Sequence, residues 1–481
     1  MKRYARHGLL FLAILVWFDS GQEWLRNEKN NIKSVEDVRL HLDRFLWPPW
    51  VAPLAFVSHV SDEQLFYEYT RVMLGEAADL SFIAHQQLGD YEQQLAGMRK
   101  LDADHPGRKL PYRDLKIGFP PLSVAMILLP RLVVSSLPAY RTAFGALATL
   151  FYLASWWLGF RLAVRMGSPL TLGEVARRAI WVTLALGSIY TRRVDALPSL
   201  LGLGALYALT TRRTLVAALL LVAGTLAKLF PILFVPVWLA LLLGWGPPAR
   251  RRFWLLLGGL GGVALAGAAL LFTLVGVAAT PLTAQLSLFA ARPFQIESTV
   301  GSLLLALRGA AGVVTGFGSY NAAAPAWLSA SWELVMLVAV LAISVLAFGW
   351  ARRNRGLDAA AEARAFALFT AVTLLAIWAT SKVLSPQYLV WGVPLLALLP
   401  GERGPRIYRW FAVTLALGQL CYPILCDFLH DGWPPVVAIL LARNALLGAL
   451  LVLTLRAARA PASAETALPA RDSSESSRAA T

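Results

Sequence analysis

Arginines in this chain cluster at alternate gaps between apolar segments, and the remaining gaps carry acidic, amide and aromatic motifs. Loops retained in the cytoplasm keep Lys and Arg while translocated loops do not, so the alternation both requires a membrane and orients the chain in it. The fold expected is all-α: a polytopic transmembrane helical bundle of about 12 spans, each near the length a bilayer demands, with the motif-rich face outside. A soluble domain of 481 residues would not carry 57% hydrophobic residues and 17 Trp against only 15% charged residues. The formal net charge of +16 invites a nucleic-acid partner. The basic residues stand in short clusters between apolar runs, however, where orientation and anionic headgroups account for them. Membrane lipids are the expected partners of those clusters, and nucleic acid is not.

Lys2, Arg3 and Arg6 precede a short apolar run, Leu9 to Phe18, in the manner of a secretory signal. No small-residue cleavage site follows, so the run is expected to stay as a first span with its amino end inside. A polar stretch from Gln22 to Lys116 is too long and too charged for a simple connector. It makes a large first extracytoplasmic loop, about 22–139, containing juxtamembrane helices. Phe119 to Ser136 is apolar, yet a full crossing there would put Arg161, Arg165, Arg177 and Arg178 outside; a segment lying at the interface restores the charge rule. Later crossings then fall at about 140–160, 179–191, 195–210, 214–228, 231–245, 253–278, 326–350, 364–380, 386–400, 408–426 and 433–455. The inside gaps hold Arg212 and Arg213, Arg250 to Arg252, Arg352, Arg353 and Arg355, and Arg403, Arg406 and Arg409. Both termini are cytoplasmic on this map. Residues 1–459 form one transmembrane domain, and 460–481, rich in Ser, Ala and Pro, form a disordered cytoplasmic tail. The two cysteines, Cys421 and Cys426, read as apolar filler and indicate neither a disulfide framework nor a thiolate metal site.

Four segments recur on the outer face: Ser61-Asp62-Glu63 through Phe66, Tyr67 and Tyr69; Pro111-Tyr112-Arg113-Asp114 leading to Gly118-Phe119-Pro120-Pro121-Leu122; Arg192-Arg193-Val194-Asp195; and Ser385-Pro386-Gln387-Tyr388. Lys228-Leu229-Phe230-Pro231 and Gln295-Ile296-Glu297-Ser298 lie between them. In order and topology this set resembles the polyprenyl-phosphate-dependent glycosyltransferases of the C superfamily, most closely glycosyltransferase family 87, the mannosyltransferase-like integral membrane proteins. The resemblance covers residues 58–400 and is carried by short elements taken together. Two departures stand out. An extra charged segment with Glu76, Asp79, Asp90, Glu92, Asp102 and Asp104 separates Tyr69 from Pro111, and Gly118-Phe119 stands where Glu-Tyr is common before Pro-Pro.

Glycosyl transfer from a phosphate-linked lipid to a hydroxyl needs a carboxylate to accept the hydroxyl proton and cations to hold the leaving phosphate. Asp62, just beyond the apolar approach Trp50 to Val60, is the candidate catalytic base; the alternative is a helix N-cap in Ser-Asp-Glu. Phe66, Tyr67 and Tyr69 beside it stack on a sugar or reinforce the interface. Asp114 is either a catalytic or acceptor-orienting carboxylate or the plain partner of Arg113. Asp195 has the same two roles open, its partners then being Arg192 and Arg193, because an intramembrane charge is costly unless paired or functional. Arg192, Arg193, Lys228 and Lys382 are the candidate donor-phosphate cations, with a snorkelling lysine as the alternative for Lys228. Gln387, Tyr388, Gln295 and Glu297 complete the donor-binding set, against a merely solvated loop for the last two.

The resemblance implies transfer of a single sugar, mannose or a similar hexose or pentose, from a polyprenyl-phosphate donor to an extracytoplasmic lipid, glycan or protein acceptor, with inversion in one displacement. The enzyme would sit in the cytoplasmic (inner) membrane with its site on the extracytoplasmic face. No cofactor is required; a divalent metal bridging a carboxylate and the donor phosphate stays open. His85, Asp102, Asp104 and His105 lack metal-ligand spacing and read as solvated loop. The alternative class is a transporter or flippase of lipid-linked sugars, which shares the cationic face and needs no base. Two equivalent halves with broken spans would mark it, whereas this chain shows no internal repeat and a heavy first loop without counterpart.

Overall fold

Proline opens seven of the fifteen described α-helices, because its fixed φ suits the first turn and its missing N–H is one that a helix leaves unpaired there. The computed structural model describes residues 62–77, 107–115, 117–276, 283, 286, 290–317 and 319–460. Its elements run α1 (Asp62–Leu74), α2 (Pro121–Leu128), α3 (Leu137–Arg165), α4 (Leu172–Leu186), α5 (Ala196–Thr210), α6 (Thr214–Ala227), α7 (Val235–Gly244), α8 (Pro247–Val275), β1 (Phe294–Gln295), α9 (Thr299–Arg308), β2 (Val313–Gly316), β3 (Ser319–Ala322), α10 (Ala326–Arg353), α11 (Ala359–Thr380), α12 (Val393–Ala397), α13 (Gly404–Gln419), α14 (Cys426–His430) and α15 (Pro434–Ala458). Proline stands in the first turn of α2, α3, α7, α8, α12, α13 and α15. Side-chain caps start three others, Thr171 accepting from Glu174 N on α4, Ser298 from Gly301 N on α9 and Asp358 from Ala361 N on α11.

Among the described residues, five helices (α3, α8, α10, α11 and α15) are long and apolar enough to cross a membrane, and each overlies an expected crossing. The other expected crossings are shorter or interrupted. Helices α5 and α6 have 15 and 14 residues, reaching about 21–23 Å where a bilayer core needs about 30 Å. The 386–400 segment is a tight turn, Pro386–Gly392, followed by the five-residue α12. The 408–426 segment breaks at Tyr422, whose backbone is extended (φ −150, ψ 121). Helix α2 and the turn Leu129–Leu132 after it also fall short of a bilayer's thickness, in keeping with a segment that does not cross. The expected first span at Leu9 to Phe18, the loop up to residue 61 and the tail beyond residue 460 lie outside the described residues.

The described residues are helical, as expected, apart from one small sheet. Residues 294–322, which fall between the expected crossings 253–278 and 326–350, contain an antiparallel sheet of order β1-β3-β2, with Phe294 opposite Ala322 and Val314 opposite Asn321. Val313, Val314, Thr315 and Tyr320 are residue types that favour strands, but runs this short leave little trace in a chain so apolar.

Tertiary hydrogen bonds sort the helix ends into two groups. At one end arginines cap carbonyls of the C-terminal turns: Arg165 donates to Thr210 O, Arg252 to Leu209 O, Arg364 to Met166 O, Arg178 to Ala397 O and Arg403 to Arg456 O. Helix C-termini carry partial negative charge, so cations stabilise them. Glu362 bridges Arg252 and Arg212 there. The alternate arginine clusters of the sequence thus gather on one face, and the polar motifs converge at the opposite end of the same helices.

Candidate functional site

Helix α6 ends at Ala227 because Pro231 stands in the next turn, and Lys228 takes an extended conformation (φ −162, ψ 140). Its ammonium reaches Asp195 Oδ1 at 2.5 Å, and the same oxygen accepts Trp391 Nε1–H at 2.6 Å. The Lys228 nitrogen lies 4.4 Å from the centre of the Tyr388 ring and 5.2 Å from that of Trp391. Tyr388 stacks on Trp391 at 4.5 Å, and Phe230 covers the indole at 3.8 Å with the rings parallel to 2°. Three motifs far apart in sequence therefore form one unit: Asp195 entering α5, the Lys228–Pro231 break, and the turn that carries Gln387 and Tyr388. Asp195 is 1% exposed, and its Oδ2 is buried without a hydrogen-bond partner among the described residues. The Lys228 side chain keeps 21% exposure. Lys228 is accordingly an ion-paired, ring-flanked cation and not a snorkelling one, and Asp195 pairs with Lys228 instead of with its sequence neighbours Arg192 and Arg193.

Arg192 turns to α1, donating to both oxygens of Glu63 at 2.8 and 3.0 Å. Glu63 is fully buried, on the helix face it shares with Phe66, Tyr69, Thr70 and Met73. That i, i+3, i+7 phase of Glu63 with Phe66, Thr70 and Met73 was present in the sequence. Asp62 is the first residue of α1; its side chain lies outside the described residues. The expected sugar platform is corrected: Phe66 packs on Phe119 and Phe144, Tyr69 is buried, and Tyr67 donates to Ser135 O. Arg193 is half-buried, with its charge close to the Tyr422 side chain. Asp114 stands apart, accepting Leu110 N–H at 2.9 Å with Arg113 Nε 3.6 Å away. It closes the Pro111–Leu115 turn, in which Tyr112 adopts φ +69, so of its two readings the structural one describes its contacts.

A second polar group lies beside the sheet. Lys382 is 1% exposed and donates to Glu333 Oε1 at 2.7 Å and to Ala290 O at 3.2 Å. Glu333, on α10, was not anticipated; a carboxylate inside an apolar helix is the signal that marks it. Lys382 is thereby a buried, neutralised cation, not an open phosphate ligand. Gln295 and Glu297 are both buried, which removes the solvated-loop reading, and Gln295 Oε1 has no hydrogen-bond partner among the described residues. Arg443 and Asn444 on α15 reach the Glu297 backbone. Sequence reasoning passed over this pair too, although an Arg-Asn step inside a 25-residue apolar helix is the kind of charge that demands a reason.

Burial pushes the Glu297 carboxyl up to about 7, against the pull of the Arg443 and Arg292 charges and a hydrogen bond from Gln295. The unfolded chain ionises this group near 4.5, so the folded state loses stability as pH rises from there to about 7 and is level above it, each unit being worth about 1.4 kcal/mol. Glu297→Gln is therefore expected to flatten the fall in thermal midpoint between pH 5 and 7.5. A variant that keeps the native pH profile in a detergent melting series would contradict this origin.

No group of three or more His, Cys, Asp or Glu fit to hold a metal occurs among the described residues; His85, Asp102, Asp104 and His105 lie outside them. Cys421 and Cys426 are buried, and no disulfide joins them to each other. No protein-family model matches this chain, and neither a characterised protein nor a solved structure gives a match.

Proposed function

We propose that this chain is a membrane glycosyltransferase that moves one sugar, mannose or a similar one, from a polyprenyl-phosphate donor to an extracytoplasmic acceptor in the cytoplasmic membrane. The observation that carries the reading is the Asp195–Lys228 pair beneath Tyr388 and Trp391. A partly exposed cation suits a phosphate, the neighbouring aromatic faces suit a sugar ring, and a buried carboxylate fixes the cation's position. Placing such charges in an apolar bundle costs several kcal/mol, a cost that packing alone gives no reason to accept. The arginine-capped end faces the cytoplasm by the charge rule, which leaves this site at the outer leaflet.

In this mechanism Asp62 accepts the acceptor hydroxyl proton as its oxygen bonds to the anomeric carbon. The bond from that carbon to the phosphate oxygen breaks on the opposite face, inverting the centre, and Lys228 with Arg193 stabilises the departing phosphate. Arg192, neutralised by the buried Glu63, and Lys382, itself buried and neutralised by the partly exposed Glu333, hold the site's walls.

Purified protein in lipid nanodiscs, given labelled polyprenyl-phosphate sugars and a membrane extract, is expected to yield a new glycosylated product. Translocation of the labelled lipid in vesicles with no product would identify a flippase instead.

A further inference from the structure

Arg443 stands nine residues into α15, a helix with the length and composition of a membrane span, and is 1% exposed. Among the described residues its guanidinium forms no ion pair within hydrogen-bonding distance; it is spent on carbonyls, two of them in separate loops. Nη1 donates to Glu297 O at 2.9 Å and to Asn444 Oδ1 at 2.6 Å, and Nη2 to Leu384 O at 3.4 Å. Asn444 Nδ2 donates to Ser302 Oγ at 2.9 Å and to Glu297 O and Ser298 O at 3.3 Å. Leu384 immediately precedes Ser385-Pro386-Gln387-Tyr388, and Glu297 belongs to the loop that carries Gln295. One planar fork therefore spans the two loops that bear the ring beside Lys228 and the buried amide of Gln295. A lysine is a point charge on a flexible stem and cannot bridge in this way, and an apolar side chain would fill the space without the penalty of burying a cation.

We propose that Arg443 is a positioning residue: it sets the distance between the Tyr388 turn and the Gln295–Glu297 loop, and so aligns the donor sugar with the group that receives it. This rests on the glycosyltransferase reading given above. Asn444 fastens only the Glu297 side of the same clamp.

Three variants in nanodiscs test it: Arg443→Met, Arg443→Lys and Asn444→Ala. With Arg443→Met, kcat is expected to fall about 100-fold with little change in the donor KM, since a displacement of about 1 Å costs that much. Arg443→Lys is expected to recover only a small part. Amide hydrogen exchange is expected to quicken at 294–298 and at 384–388 together in both Arg443 variants, at 294–298 alone in Asn444→Ala, and at neither 195–199 nor 224–228. Native exchange at both loops in a folded Arg443→Met protein overturns the clamp, as does a lowered melting temperature with kcat unchanged. Should the Arg443 variants not fold, the one-sided pattern in Asn444→Ala decides, and exchange spread evenly over both loops there refutes the proposal. If the native protein transfers no sugar, the functional reading fails while the exchange pattern still reports on the clamp.

Discussion

Asp195→Ala is expected to abolish transfer and to destabilise the protein by about 3 kcal/mol, because removing one partner of a buried ion pair strands the other. Lys228 would lose its carboxylate, Trp391 would lose the acceptor of its indole N–H, and the stack of Phe230, Trp391 and Tyr388 would lose its anchor. The informative comparison is the double variant Asp195→Leu with Lys228→Met. Replacing a buried pair by apolar groups of similar volume is often neutral or better, so its melting temperature is expected to return to the native value or above. Transfer is expected to stay absent, since the cation that meets the phosphate is gone. A double variant that is stable and still active would reduce the pair to scaffolding.

Asp62→Asn is expected to lower kcat by about 10²- to 10⁴-fold, the usual contribution of a positioned base, with folding and donor binding retained. Its neighbour gives the contrast. Glu63→Gln leaves the Arg192 guanidinium without a buried counter-charge, so it is expected to lower stability and to weaken the docking of α1 on the turn before α5. Stability would be read by thermal melting and chemistry by single-turnover transfer. Full activity in Asp62→Asn together with a dead but well-folded Glu63→Gln would move the base by one residue and overturn the assignment.

The cationic half of the candidate site was partly legible. Lys228, Arg192 and Asp195 announce themselves because a charge amid apolar sequence is expensive and must be explained. Their partners were not legible in the same way. Asp195 sits three residues from Arg192 and two from Arg193, yet its carboxylate enters the bundle while Arg192 reaches out to Glu63. Proximity in sequence predicts an ion pair only where the backbone lets both side chains share a side. Lys382 shows the converse: it reads as a free ligand until Glu333, 49 residues earlier, is seen against it. Phe66 and Tyr69, offered as a sugar surface, are core residues because the helix phase turns them onto α2 and α3.

Hydropathy and arginine placement are properties of short stretches of chain, and a span must satisfy its backbone hydrogen bonds within itself. For that reason the five long helices, the proline-led starts and the grouping of arginines at one end were determined by the sequence alone. Charge pairing and site geometry depend on which helices meet and in what rotation, a matter of long-range packing with no local signature. Tertiary structure alone decided that Lys228 belongs to Asp195, that Glu63 belongs to Arg192, and that Arg443, deep in an apolar helix, holds two distant loops together.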